Sequence, residues 1–312
     1  MSMAVPEPAP SVPPVATASA RPARSENLSG ILYMLVAVGA FSLMDAALKV
    51  MSPHYPALQV TALRALASLP VIIAWISFSR RWREIARVRW PLHLLRGALG
   101  VVMLASFTFA VRDLPLSEVY AIFFVAPLLI TALAMLMLGE QVTLNRWLAI
   151  FIGLAGVLVV LRPSGTSMWS AGGLAALLAA LCYALSAINA RILGRTDSAA
   201  AMVFWLMLLV AIGASVLTGS DWKAVQSAHG WILVVIAVTG SIGQFAVTAA
   251  FMRGQASVIA PFEYTALAWG CGLDWLLWRT LPDSHWVWVG AGIIIASGLY
   301  LLWSERRAHA AH

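Results

Sequence analysis

The stretch "ASVIAPFEYTALAWGCGLDWLLW", Ala256 to Trp278, is 23 residues long and its only charged side chains are Glu263 and Asp274. That length suffices to cross a hydrocarbon layer of about 30 Å as a helix, so the stretch reads as a membrane span that carries a carboxylate at depth. The whole chain supports the same reading. It is 61% hydrophobic, 11% charged and has a mean hydropathy of +0.86, whereas a soluble domain carries about 25% charge. A chain this poor in polar side chains cannot cover itself with a wettable surface, so the fold is an all-α integral membrane protein. The net charge of +7 does not point to nucleic acid. Its Lys and Arg sit in short clusters between apolar runs, a pattern that sets membrane topology.

Ten such runs are found, at about 30–50, 57–78, 91–111, 116–138, 146–161, 172–192, 199–218, 231–252, 256–278 and 287–303. Turn-forming segments such as "SPHYP", "RDLPLS" and "RPSGTS" separate them. Alternate loops place thirteen Lys and Arg on one side, including Arg80, Arg81, Arg83, Arg87 and Arg89, and four on the other. By the positive-inside rule both termini are expected in the cytoplasm, and an even number of spans agrees. Residues 1–27 hold six prolines among Ala, Ser and Val and no apolar core of a signal peptide, so they read as a disordered cytoplasmic tail. The two cysteines, Cys182 and Cys271, form no CxxC and read as packing residues.

Sliding the chain against itself by 142 residues aligns Gly30 with Gly172, Phe41 with Tyr183, Lys49 with Arg191, Phe109 with Phe251 and Gly156 with Gly298. Two units, 28–165 and 170–305, are therefore expected, each with five spans. An odd number of spans per unit makes the second enter from the opposite face. The result is a pair of inverted five-helix repeats, with a binding site between them at mid-depth.

The first unit contains "PLSEVYAIFFVAPLLITALAMLMLGEQV" and "RWLAIFIGLAGVLVVLRP"; the second contains "APFEYTALAWG" and "GAGIIIASGLYLLWSE". These segments resemble the EamA-type branch of the drug/metabolite transporter superfamily. The resemblance implies ten helices in two inverted repeats, a bacterial inner-membrane location and movement of small metabolites. "LGE" at Leu138–Glu140 is its hallmark, and "WRTLPD" replaces the second copy usual in the family. "PFEYTAL" and "LMDAALK" are similar to carriers that take up riboflavin or S-adenosylmethionine, while other members export amino acids or metallophores derived from them.

Ionisable residues at membrane depth cost about 2.5–3.5 kcal/mol each on insertion scales and mark pathways or pairs. Asp45 and Lys49 stand one helical turn apart on one face: either a self-neutralising pair, or Asp45 faces the cavity as a proton or amine site. Arg64 needs a carboxylate such as Asp45 or Glu263, or an anionic group of the solute. Arg96 and Asp274 read as anchors near the headgroups. Glu263 follows Pro261, which removes a backbone donor, and irregular backbone at depth is tolerated where it lines a cavity. Two roles stand for Glu263: a cavity carboxyl suited to carry a proton, as Asp45 is, or a partner for Arg64. Tyr120, Phe124 and Trp269 would supply rings and Tyr264 a hydroxyl to the solute, while Tyr183, Asn189, Gln244 and Thr248 either hydrogen-bond the solute or join helices to each other. Small residues in the fifth span (Ala149, Gly153, Gly156) and the tenth (Gly292, Ala296) make a packing surface or a homodimer contact.

The expected function is a secondary transporter that exports a small polar, zwitterionic, amino-acid-derived metabolite by alternating access. The alternative is uptake of riboflavin or an S-adenosylmethionine-like solute. There is no Walker motif, HExxH or nucleophile–base pair, so no enzyme activity, cofactor or metal is expected.

Overall fold

The structure, a computed structural model, describes residues 24–51, 53–86, 88–114, 116–161, 169–278 and 285–310. Among them every regular element is helical. In order these are α1 (Arg24–Met51), α2 (Ala57–Phe78), α3 (Trp82–Ala86), α4 (Trp90–Asp113), α5 (Leu116–Phe123), α6 (Ala126–Leu138) and α7 (Leu144–Leu161). Then follow α8 (Ala171–Leu193), α9 (Ala199–Thr218), α10 (Gly230–Arg253), α11 (Ala256–Ile259), α12 (Thr265–Trp278) and α13 (His285–Ala310). Among the described residues seven helical stretches are long and apolar enough to cross a membrane, and the fifth and tenth expected spans fall on the shorter apolar stretches Leu144–Val159 and Trp288–Leu301. The ninth expected span is not one helix: the 3-10 turn Ala260–Tyr264 separates α11 from α12. The expected tail ends earlier, because α1 starts at Arg24, and Asn27 already accepts a hydrogen bond from the Gln255 backbone at 2.8 Å.

The main helix pairs are α1 with α10, α4 with α8, α2 with α9 and α7 with α13. Each pair runs antiparallel. The start of α2 meets the chain after α9 through Gln59 and Lys223, while the chain entering α4 meets the start of α9 through Arg89 and Asp197. Asn27 and Tyr55 tie the two ends of α1 to Gln255 and His229, which flank α10. Asp113 at the end of α4 accepts from Gly172 at the start of α8, and Asn189 near the end of α8 donates to the Leu92 carbonyl. With no hydrophobic drive between helices in lipid, close approach and interhelical hydrogen bonds hold such pairs. A Cβ at Gly156 of α7 would stand 2.8 Å from Ile294, and the Ser297 hydroxyl of α13 donates to the Ala149 carbonyl at 2.7 Å. The small residues of α7 thus pack α7 against α13 within the chain. Outward-facing Leu136, Val216, Val234 and Leu299 are exposed and form the apolar face that lipid would cover.

Leu138–Glu140 shows what its motif does. Gly139 adopts φ +67°, a left-handed conformation that closes α6 and that glycine takes without strain. Glu140 then reaches across to α11, accepting from the Ala256 and Ser257 backbones at 3.0 and 3.2 Å and from the Ser257 hydroxyl at 2.7 Å. The segment standing where a second copy of the motif would fall, 279–284, lies outside the described residues.

Candidate functional site

Two interrupted helices open the middle of the bundle. After α5 the helical hydrogen-bond ladder breaks at Phe124 and Val125, where Val125 bonds back to the Ile122 carbonyl at 3.1 Å while keeping helical dihedrals, and it restarts with Pro127 in the first turn of α6. After α11 it tightens into the 3-10 turn that carries Pro261, Phe262, Glu263 and Tyr264. Between them, and walled by α1, α2, α4, α8, α9 and α10, lies a cavity of about 330 Å³. That is at the lower end of the range for small-molecule sites.

Seven of the residues expected to bind solute line this cavity: Asp45, Arg64, Tyr120, Phe124, Tyr183, Gln244 and Glu263. Glu263 is 9% exposed and accepts a hydrogen bond from the Tyr183 hydroxyl at 2.9 Å. It makes no ion pair with Arg64, so the reading of Glu263 as a partner for Arg64 is corrected: the 3-10 turn aims the carboxyl at α8 and not at α2. The Arg64 guanidinium stands over the Phe41 ring, 5.4 Å from its centroid, and interacts through space with the charge of Asp45. Asp45 is itself open to the cavity. Phe123 and Tyr183 pack at 5.7 Å and Tyr120 and Phe124 at 6.5 Å between ring centroids, forming an aromatic wall.

Three expected residues do not line the cavity. Asn189 spends its amide on the Leu92 carbonyl and joins α8 to α4. Tyr264 is buried among Phe124, Leu154, Val157 and Ile294, one position round the turn from Glu263. Trp269 points outward, 46% exposed, with its ring edge against Gly39. The reason is common to all three: the sequence places a residue along a helix but does not say which face it turns. The side chains of Lys49 and Asp274 lie outside the described residues.

Arg96 was misread in the opposite sense. It is no headgroup anchor: it is 4% exposed, lines the cavity and donates to Thr248 at 3.3 Å. It stands six residues into α4, about 9 Å along the axis, and α4 has no polar stripe to reveal which way that side chain turns.

Hydrogen bonds close both ends of the cavity's bundle. At one end the Tyr55 hydroxyl pairs with His229 Nδ1 at 2.8 Å and accepts from the Gln226 backbone at 3.0 Å, while Gln59 accepts from the Lys223 backbone at 2.9 Å. At the other, buried Asp197 accepts from the Arg89 backbone at 3.1 Å, pairs with His93 at 2.8 Å and accepts from Thr196 at 2.6 Å. Burial alone would raise the Asp197 pKa, but the hydrogen bonds from Thr196, Arg89 and His93 outweigh it and hold the carboxyl below its ordinary range.

Residues 28–162 match the EamA-like transporter family. A pseudopaline exporter of Pseudomonas aeruginosa is 24% identical over 269 residues, covering 86% of this chain and 94% of that protein. A riboflavin transporter of Vibrio cholerae and an S-adenosylmethionine uptake transporter of Rickettsia prowazekii are each 26% identical, covering 90% of this chain and 95% of those proteins. A solved crystal structure superposes with a TM-score of 0.79 at 18% identity, covering 90% of this chain and 99% of its own, a likeness of fold alone.

Proposed function

We propose, from the premise that this chain is a membrane transporter of the EamA family, that it exports a small polar, zwitterionic, amino-acid-derived metabolite across the bacterial inner membrane by alternating access. One observation carries the reading: a cavity deep in the bundle brings Asp45, Arg64, Glu263 and an aromatic wall into one space. Acid, base and ring together suit a solute with both charges and some apolar surface. Glu263 and Asp45 are the groups proposed to couple proton movement to transport.

The ten spans are read as two inverted units, 28–165 and 170–305, with both termini in the cytoplasm. Support comes from the exchange pattern of the packing. The first and third long helices of one unit pair with the third and first of the other, the second with the second, and the last with the last, always antiparallel. A two-fold axis in the membrane plane generates this arrangement. Alternating access then requires the Tyr55–His229 end and the Asp197–His93 end to open in turn. A homodimer through the fifth and tenth spans would have to use their outer apolar faces, such as Phe151 and Ile295.

Direction is the second question. The relative named for S-adenosylmethionine uptake and the one named a riboflavin transporter cover as much of the chain as the exporter does, so uptake of a riboflavin- or S-adenosylmethionine-like solute is the competing reading. Metabolites inside and outside cells that lack or overproduce the protein decide between them. Export predicts a solute enriched outside with overproduction; the reverse gradient overturns export, and no change in any solute overturns the carrier itself.

A further inference from the structure

We propose that Arg96 is the seat of a carboxylate on the transported solute, which therefore carries one and enters the cavity with that end toward α4. The proposal rests on the carrier reading above and adds to it the anionic group and the orientation. Arg96 is buried, lines the cavity and is hydrogen-bonded by one nitrogen only, to Thr248 at 3.3 Å. Its Nε and Nη1 are buried without a hydrogen-bond partner. Among the described residues no Asp or Glu oxygen lies within ion-pair distance of it. A guanidinium cannot shed its proton to escape this, and an uncompensated buried charge is strongly unfavourable.

Of the two arginines that line the cavity, Arg64 has a counter-charge in Asp45 and Arg96 has none. Arg64 lies over Phe41 and in the field of Asp45. The Glu263 carboxyl is bonded to Tyr183. Arg96 is thus the cavity cation with no carboxylate in its field, and the planar edge of its buried, unbonded Nε and Nη1 matches the two oxygens of a carboxylate. One uncompensated cation beside two carboxyl groups favours a monoanion over a phosphate dianion. Asp45, open to the same cavity from α1, is left for the cationic end of the solute.

The test uses the full chain in a bacterial host, with the host's own metabolite pool as the probe. Pools inside and outside cells with wild type, Arg96→Gln, Arg96→Lys or no protein are compared after carboxyl groups are tagged by methyl esterification and weighed by mass spectrometry. The solutes that depend on the wild type are expected to carry a carboxylate. Their flux should fall roughly tenfold or more in Arg96→Gln and partly return in Arg96→Lys, which keeps the charge without the planar fork. Wild-type-dependent solutes without a carboxylate, or undiminished flux in Arg96→Gln, overturn the proposal and leave the carrier reading standing. The absence of any wild-type-dependent solute overturns both. Should gel filtration show Arg96→Gln misfolded, the free acid and methyl ester of the solute are compared as competitors on wild type in proteoliposomes. A competition about tenfold weaker for the ester is expected, and equal competition overturns the proposal.

Discussion

The two interrupted helices make the same kind of break and put it to different use. Between α5 and α6, Pro127 begins a new helix and the turn before it shows the cavity only rings, Phe123 and Phe124. Between α11 and α12, Pro261 begins a 3-10 turn that shows the cavity Glu263, bonded to Tyr183. The break is therefore architecture, shared by both sides, and the carboxyl is an addition to one of them. Lipid does not tolerate unsatisfied backbone, so both breaks lie where protein or cavity surrounds them.

That contrast is most directly broken by Glu263→Gln, which keeps shape and removes charge. Coupled transport in proteoliposomes is expected to fall to background while the protein elutes and melts as wild type does; unchanged flux at several pH values would reject a role for the carboxyl. Tyr183→Phe removes the hydroxyl that holds Glu263 and should lower flux about tenfold, and flux equal to wild type would mean that the 2.9 Å bond positions nothing. Pro261→Ala should cost transport several-fold, while Pro127→Ala, at the break without a carboxyl, should cost less. Equal losses would mean that the two breaks do the same job.

Away from both breaks, Gly156→Leu forces side-chain atoms into Ile294 and should destabilise by about 1–3 kcal/mol. The expected readout is a lower melting temperature in detergent with normal flux per folded molecule, because the α7–α13 seam holds no cavity residue. The smallest effect is expected at Asp197. Its carboxyl is held below the ordinary range, so its contribution is complete above the unfolded value of about 3.9 and is lost as pH falls through the folded one. Melting curves at falling pH should show wild type converging on Asp197→Asn, and a constant gap would refute the assignment.

How far the sequence carries varies with the physical question asked. The long apolar helices were legible because the thickness of the bilayer demands long apolar runs, and Glu263 stood out because a charge in such a run is costly. Arg64 and Asp45 were found by the same reasoning. Arg96 reads from the sequence as a headgroup anchor, and Trp269 and Tyr264 as cavity residues, because a helix apolar on every side does not say which face turns inward. The Leu138–Glu140 motif was recognised without a reason; the reason is a left-handed Gly139 and a carboxylate that caps a helix more than a hundred residues later.

The sequence alone determined that the chain is built of long apolar helices, where its few ionisable groups fall along them and the family it resembles, because hydrophobic length and the rarity of charge are properties of a linear chain. Only the tertiary structure decided which of those groups share a cavity. That choice depends on helix rotation and on contacts between distant segments, Tyr183 with Glu263 and Arg96 with Thr248, and no local pattern encodes either.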